Sequence, residues 1–190
     1  MYPIVVLALL PFLSSAIPVS PLQSNSSTPF VLRALRLGFP IHLSTLNAND
    51  GQFWLGKATS SSCPAEPKTD CPTETETAVV DTHVPFGQSI YVAKDGTLSF
   101  TAAHEEEKVV AASTAYPAGF AYDRDARSFT FAGTPSKGWL ACPVAAESGD
   151  GDGEGPWLVY ADLKRGGKTG CLAFEAGGVE YGGVAVWEYD

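Results

Sequence analysis

The sequence predicts an all-β fold, a single compact domain of roughly 10–12 short strands. Three observations carry that reading. Apolar runs from Phe30 onward are short and cut by turn residues. The 19 Gly and 14 Pro leave little room for long helices. Two segments, Asn49-Asp50-Gly51 and Lys94-Asp95-Gly96, are tight-turn signals flanked by strand-like residues.

Taken in chain order, Met1–Ala16 has no charged side chain and is dominated by Ile4, Val5, Val6, Leu7, Leu9, Leu10, Phe12 and Leu13. Pro11 interrupts the run, which closes on Ser14, Ser15 and Ala16. This is a short apolar region with a small-residue cleavage site, below the ~20 apolar residues a membrane-spanning helix needs. We therefore read residues 1–16 as a signal peptide, 17–29 as a flexible leader rich in Pro, Ser and Asn, and 30–190 as one β domain. Asn25-Ser26-Ser27 is a glycosylation acceptor within the leader. No apolar tail follows the domain to suggest a C-terminal lipid anchor.

Ile41–Leu46 alternates as a strand does, and Phe53-Trp54-Leu55 opens the next strand after the Asn49-Asp50-Gly51 turn. Ser89–Ala93, Lys94-Asp95-Gly96 and Thr97–Phe100 form the clearest hairpin signal. Further strands are expected at 78–84, 119–122, 128–132, 138–142, 157–162, 171–175 and 183–189. The helical candidate is His104–Ala112, whose apolar residues are too few and too bunched. Phe53, Trp54, Tyr91, Phe100, Phe120, Phe129, Phe131, Trp139, Trp157 and Phe174 fall in or beside strands and would fill one core. Gln52-Phe53-Trp54-Leu55-Gly56 is echoed by Lys137-Gly138-Trp139-Leu140-Ala141, each a few residues before a Cys-Pro. That echo places a β-trefoil-like barrel narrowly ahead of a β-sandwich.

Cys63, Cys71, Cys142 and Cys171 are an even set behind a signal peptide, which implies two disulfides with three possible pairings. A local 63–71 staple and a 142–171 bridge are favoured; the spacing does not suit zinc. The net charge of −9 repels nucleic-acid backbones and anionic membranes and favours a soluble monomer.

Catalytic signals are sparse. There is no Gly-x-Ser-x-Gly elbow, and the cysteines are spent in disulfides. His42 and His83 fall in strand-like runs, and His104 heads the charged turn Glu105-Glu106-Glu107. The 21 Asp and Glu could supply a glycosidase pair, but nothing in the sequence selects one. The acidic stretch from Glu147 to Gly155 could wrap calcium, although it lacks the spacing of a helix–loop–helix site; a solvated insertion is the simpler reading. Trp54, Trp139 and Trp157, with Trp187, are candidates for stacking on sugar rings, in competition with core packing. No cofactor, metal or catalytic residue is called for.

The blocks Asn47-Ala48-Asn49-Asp50-Gly51-Gln52-Phe53-Trp54-Leu55-Gly56-Lys57 and Trp139-Leu140-Ala141-Cys142-Pro143 occur in one order with Ser62-Cys63-Pro64, Cys71-Pro72, Gln88–Val92, Thr101–His104, Pro156-Trp157 and Cys171–Phe174. In that order, over roughly residues 39–175, the chain resembles the fungal PhiA-type secreted cell-wall proteins. The resemblance implies a non-enzymatic wall protein linked to phialide and conidium development, with IgE-binding relatives and no established catalytic site. The alternatives are a lectin-like carbohydrate-binding module and, behind it, a small secreted hydrolase or expansin-like protein. A wall polysaccharide or wall protein is the expected partner.

Overall fold

A computed structural model describes residues 29–62, 77–79, 88–102, 115–116, 118–132, 138–144, 155–163, 168–183, 186 and 188–190, without the side chains of 78 and 79. The signal peptide, Asn25, Cys63, Cys71, His83, the His104–Ala112 segment, Trp187 and the acidic stretch up to residue 154 lie outside the described residues.

The described residues hold strands and no helix: β1 (Phe30–Leu35), β2 (Asn47–Asn49), β3 (Gln52–Leu55), β4 (Ser61–Ser62), β5 (Ala78–Val79), β6 (Ile90–Ala93) and β7 (Leu98–Phe100) in the first half. The second half supplies β8 (Ala115–Tyr116), β9 (Phe120–Asp123), β10 (Ser128–Phe131), β11 (Trp139–Pro143), β12 (Trp157–Ala161), β13 (Leu172–Glu180) and β14 (Glu188–Tyr189). Twelve of these make one antiparallel sheet, curled strongly into a half-barrel, whose main path runs β5-β1-β13-β11-β12-β3-β7-β6-β8. β14 pairs separately with β4.

The spine of the sheet is β13. Its first residues, Leu172–Phe174, pair with β11, and the remainder, Glu175–Glu180, pairs with β1. β10 joins it at Ala176 and Gly177. One long strand thus carries the sheet from one set of partners to the next, and the curl lets the apolar face close around a core. Trp139, Phe131, Leu32, Ile41, Leu46, Leu55, Leu98, Val92 and Val159 are its most completely buried apolar side chains. Trp139, Phe129 and Phe120 form a column of rings, with centroids 5.4 and 5.6 Å apart and planes within 9° of parallel.

Both turn signals form. Asp50 and Gly51 have φ of 55° and 70°, two consecutive left-handed residues joining β2 to β3, as the Asn-Asp-Gly sequence requires. Between β6 and β7 the Asp95 carboxylate accepts from the Thr97 backbone N–H at 3.0 Å and from its hydroxyl at 2.8 Å. The expected strand over Ile41–Leu46 is corrected. Residues 41–43 form a turn, Leu43 takes φ 65°, and only Thr45 bridges to Arg33 before β2 starts at Asn47. Its apolar alternation reflects Ile41 and Leu46 reaching the core from the two ends of a compact connection, while Leu43 stands exposed.

The Cys142–Cys171 disulfide is present, beside the Ala141–Leu172 pair of the β11–β13 ladder.

Gly177 and Gly178 make β13 thin where other groups cross it. A Cβ on Gly178 would sit 2.4 Å from the Tyr122 ring, which stacks on Phe30 with centroids 4.0 Å apart. Gly178→Ala is expected to lift Tyr122 off Phe30 and destabilise the fold by ~1–3 kcal/mol, the usual range for overpacking. Urea unfolding checks this; an unchanged midpoint would mean that the ring moves out at no cost.

Candidate functional site

Strand register lays out a row of polar side chains. Tyr91 of β6 lies opposite Ser99 of β7, Ser99 opposite Gln52 of β3, and Gln52 opposite Asn49 of β2. Residues paired directly across antiparallel strands project to the same face. Their chain neighbours Val92, Leu98 and Phe53 point the other way and are buried in the core.

A wall rises beside this row. β14 is held against β4, and the Gln88 side-chain amide acts as an extra strand partner: its Nε2 donates to the Tyr189 carbonyl at 2.9 Å, and the Tyr189 N–H donates to its Oε1 at 2.7 Å. The Asp190 N–H donates to the Ser60 carbonyl, and the Ser62 hydroxyl donates to a Glu188 carboxylate oxygen. Below, Phe100 meets Phe53 and Tyr189 edge-on, with centroids 5.6 and 6.4 Å away. The Asp50–Gly51 turn forms the facing side, tied down by the Phe100 N–H donating to the Gly51 carbonyl at 3.1 Å.

Between these elements lies a cavity of about 610 Å³. Asp50 and Asp190 are the exposed acidic residues of its lining, and Tyr91 and Gln52 are half-buried, whereas Ser99, Phe100 and Tyr189 are buried and the Glu188 carboxylate turns to Ser62 with its Oε2 buried. That volume and mixture suit a small ligand or a short stretch of polymer, since sites of this kind span roughly 300–1,000 Å³. A smaller groove of about 240 Å³ lies between Lys94, Asp95, Asp162 and Lys168. Both of its ammonium groups already sit over tyrosine rings, Lys94 on Tyr116 at 3.7 Å and Lys168 on Tyr160 at 3.8 Å.

The tryptophans expected to contact ligand are not brought together at this cleft. Trp139 is 1% exposed, with its indole N–H donating to the Phe129 carbonyl at 2.9 Å; it is a core residue. Trp54 is 8% exposed, donates to the Asn49 carbonyl at 2.9 Å and carries the Lys57 ammonium 4.6 Å above its ring. It braces the β2–β3 hairpin. Trp157 is half-buried and packs against the core from β12. His42 is structural, its Nδ1 accepting from the Arg36 backbone N–H at 3.2 Å.

The residues that do line the cleft carried weak signals in the sequence. Asp50 reads as a turn residue, Tyr91 as core, Glu188 as part of the expected strand 183–189, and Asp190 as the residue after it. What joins them is the pairing of β14 with β4 across 126 residues, a non-local contact with no local pattern.

The comparisons with known proteins agree with one another. A protein from Arthroderma benhamiae (strain ATCC MYA-4681 / CBS 112371), described as an uncharacterized secreted protein, is 30% identical over 152 residues, covering 72% of this chain and 73% of its own. No solved structure matches. A family model described as PhiA-like secreted protein matches residues 30–190. The chain is a secreted protein and belongs to the PhiA-like secreted protein family.

Proposed function

We propose that this protein is a non-enzymatic component of the fungal cell wall that works by binding wall polysaccharide in the cleft between the Asp50–Gly51 turn, the β6–β7 hairpin and β14. The observation that carries the reading is the cross-strand row Tyr91–Ser99–Gln52, flanked by aromatic and carboxylate groups. A row of hydroxyl, amide and aromatic side chains held in place by strand pairing offers sugar rings both stacking and hydrogen bonds. Membership of a secreted family fits that setting. A role in phialide and conidium development follows from the family resemblance and is proposed with it. The protein acts as a monomer in this reading, its surplus of carboxylates opposing self-association.

A second reading has one observation in its favour. The exposed Asp50 and Asp190 line a single cleft, and glycoside hydrolysis needs two carboxylates across a scissile bond. One experiment separates the two. Purified protein is incubated with insoluble β-glucan, chitin, chitosan and mannan, and both retention on the polymer and release of reducing sugar are measured. Retention without release is the expected result, with Tyr91→Ala weakening it several-fold. Release of sugar that stops on Asp190→Asn or Asp50→Asn would install the hydrolase reading, and no retention on any polymer would remove the binding one.

A further inference from the structure

We infer that the turn leaving β1, residues 36–43, docks on a neutral phospholipid surface, one with phosphocholine headgroups. The inference goes beyond the reading of the cleft and does not rest on it. Seven large apolar side chains are exposed among the described residues, and four of them, Leu35, Leu37, Phe39 and Leu43, lie at or within this one turn. Leu37 is 82% exposed, so little of it touches the rest of the protein. Pro40, also exposed, continues the apolar surface. The turn is nonetheless well tied. The Leu43 N–H donates to the Ala34 carbonyl at 2.8 Å, the His42 N–H to the Phe39 carbonyl at 3.0 Å, and the Arg36 N–H to the His42 Nδ1 at 3.2 Å. Ile41 pins it to the core. Leu43 is held at φ 65°, a region that leucine adopts only at a cost, and its side chain ends in solvent.

Charge and size indicate what covers it. From Phe30 to Asn49 the chain has Arg33, Arg36 and His42 and no Asp or Glu, in a protein of net charge −9. The Arg36 guanidinium lies over the Phe39 ring, 4.1 Å from its centroid, and donates to the Ala173 carbonyl, which sets a cation beside the apolar tip. Glu175, opposite Leu35 in the β1–β13 register, is an acid at the base of the turn. Apolar side chains beside an arginine match the boundary between acyl chains and headgroups. Apolar groups leave water there, at a depth of roughly 5–10 Å, while a guanidinium reaches a phosphate. The surplus of carboxylates elsewhere opposes an anionic bilayer and leaves a zwitterionic one, whose headgroups carry no net charge. A second copy is a poorer fit. Four side chains and a proline offer a few hundred Å², against about 800 Å² per partner in a standard interface. A symmetric contact through the turn would also bring Arg36 against its own copy. A lipid surface asks for no matched pocket, and a turn already fixed by its own hydrogen bonds loses little conformational freedom on insertion.

Co-sedimentation of the full secreted chain with phosphatidylcholine vesicles tests this, alongside light scattering without lipid. The parent is expected to pellet with vesicles and to stay in solution without them. Leu37→Asp should weaken vesicle binding roughly tenfold or more, because a charge replaces an inserted leucine. Phe39→Ser should weaken it several-fold, and Arg36→Gln by less, with Arg36→Lys keeping most of the binding. Val144→Ser, which removes an exposed apolar side chain elsewhere, should leave binding unchanged. Unfolding curves confirm that each variant is folded; Leu37→Asp is the decisive one, since that side chain contributes little to the fold. No binding of the parent to vesicles overturns the inference, as does binding that survives Leu37→Asp. Concentration-dependent dimers that Leu37→Asp abolishes would assign the turn to a second copy and overturn it as well.

Discussion

Replacing Trp139 by alanine is expected to cost ~3–5 kcal/mol of stability, the range for removing a large aromatic side chain from a packed core. Trp139 is 1% exposed and ends the ring column through Phe129 to Phe120. It stands at the start of β11, opposite Ala161 of β12 on one side and Phe174 of β13 on the other, so its loss opens a cavity at the junction of three strands. The indole N–H adds a buried hydrogen bond to the Phe129 carbonyl, 2.9 Å long. Trp139→Phe keeps most of the apolar contact but loses that hydrogen bond and part of the ring volume, and should cost ~1–3 kcal/mol. Urea unfolding followed by far-UV circular dichroism reads both values. Polysaccharide retention by the folded fraction should be unchanged, because Trp139 is remote in the strand order from β6, β7 and β14. A variant of undiminished stability with lost retention would assign this residue a ligand-contacting role instead of a core one.

The contrast between Trp139 and Tyr91 shows what was legible in the sequence. An aromatic residue in a strand-like run signals burial, and for Phe53, Phe129, Phe131, Trp139 and Phe174 that signal is correct. Turn chemistry was legible as well, because Asn49-Asp50-Gly51 and Lys94-Asp95-Gly96 specify their backbone through residues adjacent in the chain. The secreted family was legible from ordered motifs spread over most of the domain. β1 was not. Phe-Val-Leu-Arg-Ala-Leu has no period-2 alternation, since the strand lies between β5 and β13 and four of its six side chains are buried. β13 was expected to stop at 175 and runs to Glu180, because its Gly177-Gly178 pair reads as a breaker but serves as the close-approach point beneath Tyr122 and Leu35. The cleft was hidden for a related reason. Its walls come from residues near 50, 91–100 and 188–190, and they meet only after β14 has docked on β4 and Gln88 has bridged to Tyr189. Local patterns report strands and turns; they do not report which distant carboxylates will share a cavity.

Removing the Cys142–Cys171 bridge by a double alanine substitution should lower stability by ~3–4 kcal/mol, the chain-entropy value for a closed loop of about 30 residues. The two cysteines are 29 residues apart, and the loop they close contains β12, which pairs with β11 on one side and β3 on the other. Without the crosslink the unfolded chain gains the freedom of that whole segment, while the folded state still has the ladder bonds from Trp139 to Ala141 opposite Phe174 to Leu172. The loss therefore falls mainly on the unfolded side of the balance, and the sheet should form with its register intact. In a domain of this size each kcal/mol moves the midpoint by about 2–4 °C, so Tm should fall by roughly 6–16 °C. Changing both cysteines together avoids leaving a thiol free for wrong pairing. Far-UV circular dichroism at 20 °C should match the parent, and differential scanning calorimetry should show the lower midpoint. A drop of less than about 2 °C would mean that the unfolded chain already keeps these strand ends together, so that the bond adds little constraint. A lost native spectrum would mean that the bridge is needed to close the curl of β13 at all, a heavier role than the loop entropy assigns it.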